Sequence, residues 1–167
     1  MADRAFDPAA LFEVLAGHAV DYVVIGGMAA TLHGSVHVTF DVDITPKRDP
    51  DNLQRLAEAL EELEARLRVP NEPEGVGFAH SAAFLARCQI LTLTTRFGDL
   101  DISFVPSGTD GYPDLRRDAV ELTIHGTRIM VAALADVVRS KEAAGREKDR
   151  LVLPELRALL GRQMGGG

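Results

Sequence analysis

The stretch Tyr22-Val23-Val24-Ile25-Gly26-Gly27, and Thr39-Phe40-Asp41-Val42-Asp43-Ile44 beyond it, decide how the chain folds. The first is an apolar run ending in paired glycines, the pattern of a buried strand that turns sharply. Asp41 lies fourteen residues past Gly27, room for a short helix before a second strand. Residues two apart on a strand point to the same face, so Asp41 and Asp43 present their carboxylates together. Aspartate is a poor strand former, and Asp-Val-Asp within a strand implies a task that offsets its cost. Holding a divalent metal beside a phosphate is the task this arrangement suits.

The rest of the chain bounds that reading. With 167 residues and 46% hydrophobic side chains it can bury a core as one domain, which excludes wholesale disorder. No run of eighteen apolar residues occurs, and Met-Ala-Asp-Arg-Ala-Phe-Asp-Pro at the start lacks the basic-then-apolar pattern of a leader. Neither a signal peptide nor a membrane span is expected, and the single cysteine, Cys88, reads as a small buried hydrophobe suited to the cytoplasm. A net charge of −7 excludes a broad basic surface for nucleic acid but leaves room for local patches.

Outward from the central stretch, Asp7-Pro8 starts a helix that Gly17 ends. Val20–Ile25 is a strand, Met28–Leu32 a short helix closed by His33-Gly34, and His37–Thr45 a second strand stopped by Pro46. Asp49-Pro50-Asp51 caps an amphipathic helix to about Arg68, with Leu53, Leu56, Leu60, Leu63 and Leu67 on one face. Its glutamates Glu58, Glu61, Glu62 and Glu64 read as a solvated face. The two prolines and two glycines between Val69 and Gly77 predict a loop, and Ser81–Arg87 a short helix. Gln89–Thr95 and Leu100–Val105 form a hairpin through Phe97-Gly98-Asp99, and Pro106–Gly111 a loop. Ala119–Ile124 and Thr127–Val131, hinged at His125-Gly126, are another strand pair. From Ala132 the chain reads as helical, broken at Gly145, with the closing glycines 165–167 fraying. The expected fold class is α/β (α+β), a mixed and mostly antiparallel sheet flanked by helices. Residues 1–131 form its core, and 132–167 a helical extension of the same domain.

A third carboxylate completes the set. Asp101 sits between Leu100 and Ile102 as Asp43 sits between Val42 and Ile44, and converges with it if the two strands are neighbours. Asp99, nearer the turn, reads as a turn residue bonded to its own backbone. Hard oxygen ligands of this kind suit Mg²⁺, or Mn²⁺, which keeps waters and substrate phosphates in its remaining positions. Two such ions can hold the attacking and leaving oxygens of an in-line phosphoryl displacement. Glycines without Cβ atoms at 26 and 27 let a triphosphate approach the backbone. The five histidines share no metal-ligand spacing, and no Ser-His-Asp set, Walker-type motif or Cys-x-x-Cys is present.

Ile25-Gly26-Gly27, Asp41-Val42-Asp43 and the later Asp101 resemble the signature of the polymerase-beta-like nucleotidyltransferase superfamily. More closely, Gly26–Ala30, His33-Gly34, Thr39–Ile44 and Lys141–Asp149 resemble the AbiEii-type toxin nucleotidyltransferases of type IV toxin–antitoxin systems. The resemblance implies the nucleotidyltransferase fold and metal-dependent transfer of an NMP from an NTP to an acceptor hydroxyl, the tRNA 3′ end. It implies Asp41, Asp43 and Asp101 as metal ligands, with Gly26, Gly27 and Thr39 around the triphosphate. Lys141 would neutralise the triphosphate's charge. Arg146 is grouped with these nucleotide-binding residues, with helix capping or a buried ion pair as its other reading. His37 stands where many relatives carry Arg, and the chain is short for a toxin of this type. A cognate antitoxin or toxin would be its protein partner. The alternatives are an antitoxin that nucleotidylylates (AMPylates) a partner toxin, and a nucleotide-binding module without turnover.

Overall fold

In a computed structural model, residues 5–166 are described; the first residues of the stretch read for a leader, and Gly167 of the glycine run, lie outside them. Helix α1 (Pro8–Gly17) starts as its sequence dictates, with the Asp7 carboxylate accepting from Ala10 N at 3.1 Å and Pro8 in the first turn. Strand β1 (Tyr22–Ile25) leads directly into α2 (Gly26–Leu32), so the paired glycines are the helix's first residues rather than a turn before it. Strand β2 (Asp41–Pro46) follows, then α3 (Pro50–Glu62), β3 (Arg66–Val69), β4 (Glu72–Val76), α4 (Ala82–Ala86), β5 (Ile90–Thr95) and β6 (Gly98–Ser103). The chain closes with α5 (Tyr112–Arg117), β7 (Val120–Ile124), β8 (Thr127–Val131), α6 (Leu134–Ala144) and α7 (Glu147–Gly165).

The eight strands form one sheet in the order β4-β3-β5-β6-β2-β1-β8-β7. It is mixed and mostly antiparallel, as the sequence predicts; the pairs β2·β6 and β1·β8 are parallel. Alternation along β2 and β6 separates two functions. Val42, Ile44, Leu100 and Ile102 are fully buried in the core with Leu53, Leu56, Leu60 and Leu63. Asp41, Asp43, Asp99 and Asp101 occupy the alternate positions, half-buried. The parallel register sets Asp41 beside Asp99 and Asp43 beside Asp101.

Four expectations are corrected. Helix α3 stops at Glu62 instead of continuing to Arg68, because Glu64 takes a left-handed φ of 54° and Ala65 N closes onto Leu60 O at 3.0 Å. Leu67, which continues the leucine spacing, instead pairs with Leu93 and Val76 in the sheet. The expected loop from Val69 to Gly77 is mostly the hairpin β3–β4, turning at Asn71 with φ 67°. Pro73 fits there because β4 is an edge strand. Strand β2 starts at Asp41 rather than His37. The β1 ladder ends with Ile25 opposite Asp43 and the β6 ladder with Asp99 opposite Asp41, so residues 37–40 have no strand partner among the described residues. Asp99 is a strand residue ion-paired to Arg68 at 3.2 Å, not a turn residue bonded to its own backbone. Helix α5, with Pro113 in its first turn, fills a segment the sequence reading left unassigned.

Candidate active site

Backbone geometry brings the carboxylates together. Register places Asp43 between Ile25 on β1 and Asp101 on β6, and one oxygen from each of Asp41, Asp43 and Asp101 lies within 4.8 Å of the others. Gly26 faces Asp43: its φ is +65°, and a Cβ there would overlap the carboxylate, standing 3.0 Å from Cγ. Gly27 faces Thr39, where a Cβ would meet Oγ1 at 3.2 Å. Thr39 Oγ1 donates to Asp41 Oδ1 at 2.6 Å, which fixes that side chain. The loop carrying Thr39 is pinned from the far end of the chain. Glu155 on α7 accepts from Ser35 Oγ at 3.1 Å and Val36 N at 2.9 Å, and pairs with His37 Nε2 at 3.0 Å.

Crowding like charges in a part-buried place has electrostatic consequences. Burial, then the charges of Asp41 and Asp101, push the Asp43 carboxyl up to about 7, while the Lys148 ammonium pulls it back. Burial also raises Asp101, with Asp41 adding to the rise and the Arg68 guanidinium opposing it. Arg68 donates to Asp101 Oδ1 at 3.0 Å and to the Leu93 carbonyl at 3.1 Å. Burial and like-charge crowding at Asp43 and Asp101 fit a bound divalent cation that would relieve them, as does the all-oxygen donor set.

The opposite wall comes from the α6–α7 junction. Gly145 is left-handed, with φ 60°, and ends α6; Arg146 and Asp149 then cap α7 reciprocally. Asp149 is fully buried and accepts from Arg146 Nε at 2.8 Å and from Arg146 N at 3.2 Å. Lys141 Nζ stands 3.5 Å from its other oxygen. Burial raises Asp149, but the Arg146 hydrogen bond and charge, joined by Lys141, outweigh it and hold the carboxyl below its usual range. Arg146 therefore both caps a helix and joins a buried ion pair. It still lines the same cleft of about 550 Å³ as Gly26, Gly27, Thr39, Asp41, Asp43, Asp101 and Lys141. All eight residues singled out from the sequence thus meet in one cavity of ligand size.

Three residues that act on the site were missed. Lys148, exposed, faces Asp43 electrostatically, and no periodicity in the mixed-charge tail marks it. Arg68 was hidden by the helix reading of its segment. Asp136 lines the cleft with a buried Oδ2 that has no hydrogen-bond partner among the described residues.

Two solved structures match this architecture over nearly its full length. One is a proposed nucleotidyltransferase from Thermotoga maritima, with a TM-score of 0.56 and 16% identity over 92% of this chain and 95% of that one. The other is the lincosamide antibiotic adenylyltransferase LnuA with lincomycin bound, with a TM-score of 0.60 and 15% identity over 94% and 99%. This is the nucleotidyltransferase fold. No protein-family model matches the sequence, and neither does any curated protein. At such identities the nucleotidyltransferase likeness carries the fold, and the chemistry rests on the site. Among the described residues no helix is long and apolar enough to cross a membrane.

Proposed function

We propose that the protein is a metal-dependent nucleotidyltransferase that moves an NMP unit from an NTP to an acceptor hydroxyl and releases pyrophosphate. One observation carries the reading: three carboxylates converge within 4.8 Å, and the missing Cβ of Gly26 lets the Asp43 carboxylate lie against the backbone at the head of α2. Asp41, Asp43 and Asp101 would hold Mg²⁺ or Mn²⁺, which when bound screens phosphate charge and acidifies the acceptor hydroxyl. Gly26 and Gly27 admit the triphosphate to the backbone, and Thr39 keeps the Asp41 carboxylate turned toward it. Lys141, Arg146 and Lys148 supply positive charge on the opposite wall, and Asp149 keeps the first two in place. The acceptor oxygen forms a bond to the α-phosphorus as the bond from that phosphorus to the pyrophosphate oxygen breaks. Asp101 takes the acceptor's proton on its way to water.

The AbiEii-type resemblance makes the tRNA 3′ end the first acceptor to test, with growth arrest as the cellular result and the cytoplasm as its place. A specific feature favours a second reading, a protein hydroxyl on a partner toxin. Val36, Val38 and Phe40, next to Asp41, are 74–80% exposed, an apolar rim suited to a protein surface. Purified protein with Mg²⁺ and each α-labelled NTP, offered total tRNA and cell lysate beside Asp41→Ala, separates the two. Label in tRNA that the variant abolishes supports the first reading, and label on protein alone supports the second. Absence of label from both, with no pyrophosphate released, would leave nucleotide binding without turnover and sink the transferase reading.

A further inference from the structure

A second cavity, of about 540 Å³, opens beyond the C-terminal ends of the parallel strands β2 and β6. Pro46 and Phe104 in its wall each lie three residues past a site aspartate, about 10 Å along the strand. The two cavities share a partition. Ser103 and Leu115 line the catalytic cleft, while their chain neighbours Phe104 and Arg116 line the second pocket.

The pocket's charge opposes that of the chain. Lys47, Arg48, Arg116 and Arg117 surround it against a single carboxylate, Asp110, in a protein of net charge −7. Not all four are free to bind. The Arg48 guanidinium lies 4.5 Å over the Phe104 ring and already donates to Ala86 O at 3.1 Å and Gln89 Oε1 at 3.3 Å. Lys47 stands 3.6 Å from Asp49. Arg117 has only a long contact of 3.9 Å to Asp114, and Arg116 has no ion pair among the described residues. Tyr112, half-buried, adds an aromatic wall beside these two exposed arginines, and its hydroxyl has no hydrogen-bond partner among the described residues. An aromatic surface next to free guanidinium groups recognises a flat ring carrying a phosphate.

We propose that this pocket binds a nucleoside phosphate, with the base against Tyr112 and the phosphate on Arg116 and Arg117. Where the proposed nucleotidyl transfer holds, the ligand is a nucleotide of the acceptor strand next to the one whose hydroxyl reaches the carboxylates. The binding itself does not depend on that reading.

The test is equilibrium binding of a fluorescein-labelled single-stranded RNA hexanucleotide to the full-length protein without NTP or metal, with AMP as competitor. Arg116→Glu/Arg117→Glu should weaken the oligonucleotide about tenfold or more and reduce the log–log salt slope by about 1.4, two single-strand phosphate contacts. Arg116→Lys/Arg117→Lys should restore most of both. Tyr112→Ala should weaken binding with the salt slope unchanged. Competition by AMP identifies a free nucleotide as a sufficient ligand; oligonucleotide binding that AMP does not displace assigns the site to a strand. Unchanged affinity and salt slope in the Glu variant, or no binding to the wild type, overturns the proposal. Arginine-dependent binding without label transfer from any NTP would sink the transferase reading alone, whereas transfer with arginine-independent binding would sink this one alone.

Discussion

Replacing Asp43 with asparagine should stabilise the metal-free protein near pH 8, although it removes a metal ligand. The Asp43 carboxyl stands at about 7, against an ordinary 3.8, because it is buried and faces Asp41 and Asp101. That gap corresponds to about 4 kcal/mol favouring the protonated form in the fold. Below about pH 4 the folded and unfolded chains both keep the proton, and the fold bears no penalty. Between about pH 4 and 7 the unfolded chain ionises first, so folded stability falls as pH rises. Above about 7 the penalty is complete. Asparagine keeps the shape and removes the charge, so about 2–4 kcal/mol should return at pH 8 and almost none at pH 4. For a chain of this size that is a rise in melting temperature of about 5–10 °C. Thermal unfolding in EDTA at the two pH values measures it directly. Millimolar Mg²⁺ should then stabilise the wild type at pH 8 and the variant much less, reversing their order. A variant that melts below the wild type in EDTA at pH 8, or a difference that does not change with pH, would refute the electrostatic account of the cluster.

Gly26→Ala places a Cβ against the Asp43 carboxylate at a left-handed backbone position. It should cost about 1 kcal/mol in melting experiments and lower metal-dependent turnover about tenfold or more. Arg68→Ala removes the charge that holds Asp101 down, so the acid limb of the pH–rate profile should move upward, with Arg68→Lys between. Asn52 is fully buried and bridges Asp21 N, Asp21 O and Lys47 O at 2.7–2.9 Å. Asn52→Ala should lose about 2–4 kcal/mol by urea denaturation and leave KM for the NTP unchanged. Asp149→Ala strips a buried partner from Lys141 and Arg146, and should cost about 3 kcal/mol while raising that KM.

The site was more legible in the sequence than the fold around it. Asp41, Asp43 and Asp101 announce themselves because a carboxylate in an apolar strand conflicts with local propensity, and such conflicts concentrate where function overrides stability. The β3–β4 hairpin announces nothing. Its Leu67 continues the leucine spacing of α3, and Pro70, Pro73 and Gly75 imitate a loop, so only pairing with β5 makes it a strand. The segment before Asp41 misleads in the other direction. Val36, Val38 and Phe40 alternate as a strand should, but the neighbouring ladders end first and leave them exposed. Propensity sets what a segment can become, and in both cases the available partners settle it.

The C-terminal helices give the mixed-charge tail a purpose that composition hides. Read alone, Lys141 to Arg150 is an ordinary solvated stretch with both signs of charge. In the fold, Asp149 is withdrawn completely from solvent and draws Lys141 and Arg146 toward the cleft. Two turns further along α7, Glu155 clamps the backbone at Val36 and so fixes the approach to Thr39 and Asp41. One helix therefore organises the cationic wall and the loop feeding the acidic one, although its residues lie more than a hundred positions from Asp41. A helix that only covered the sheet would have no need to bury an ionised carboxylate. The cost of that burial is understandable if the two cations it restrains must stand opposite a triphosphate without collapsing onto Asp43 and Asp101.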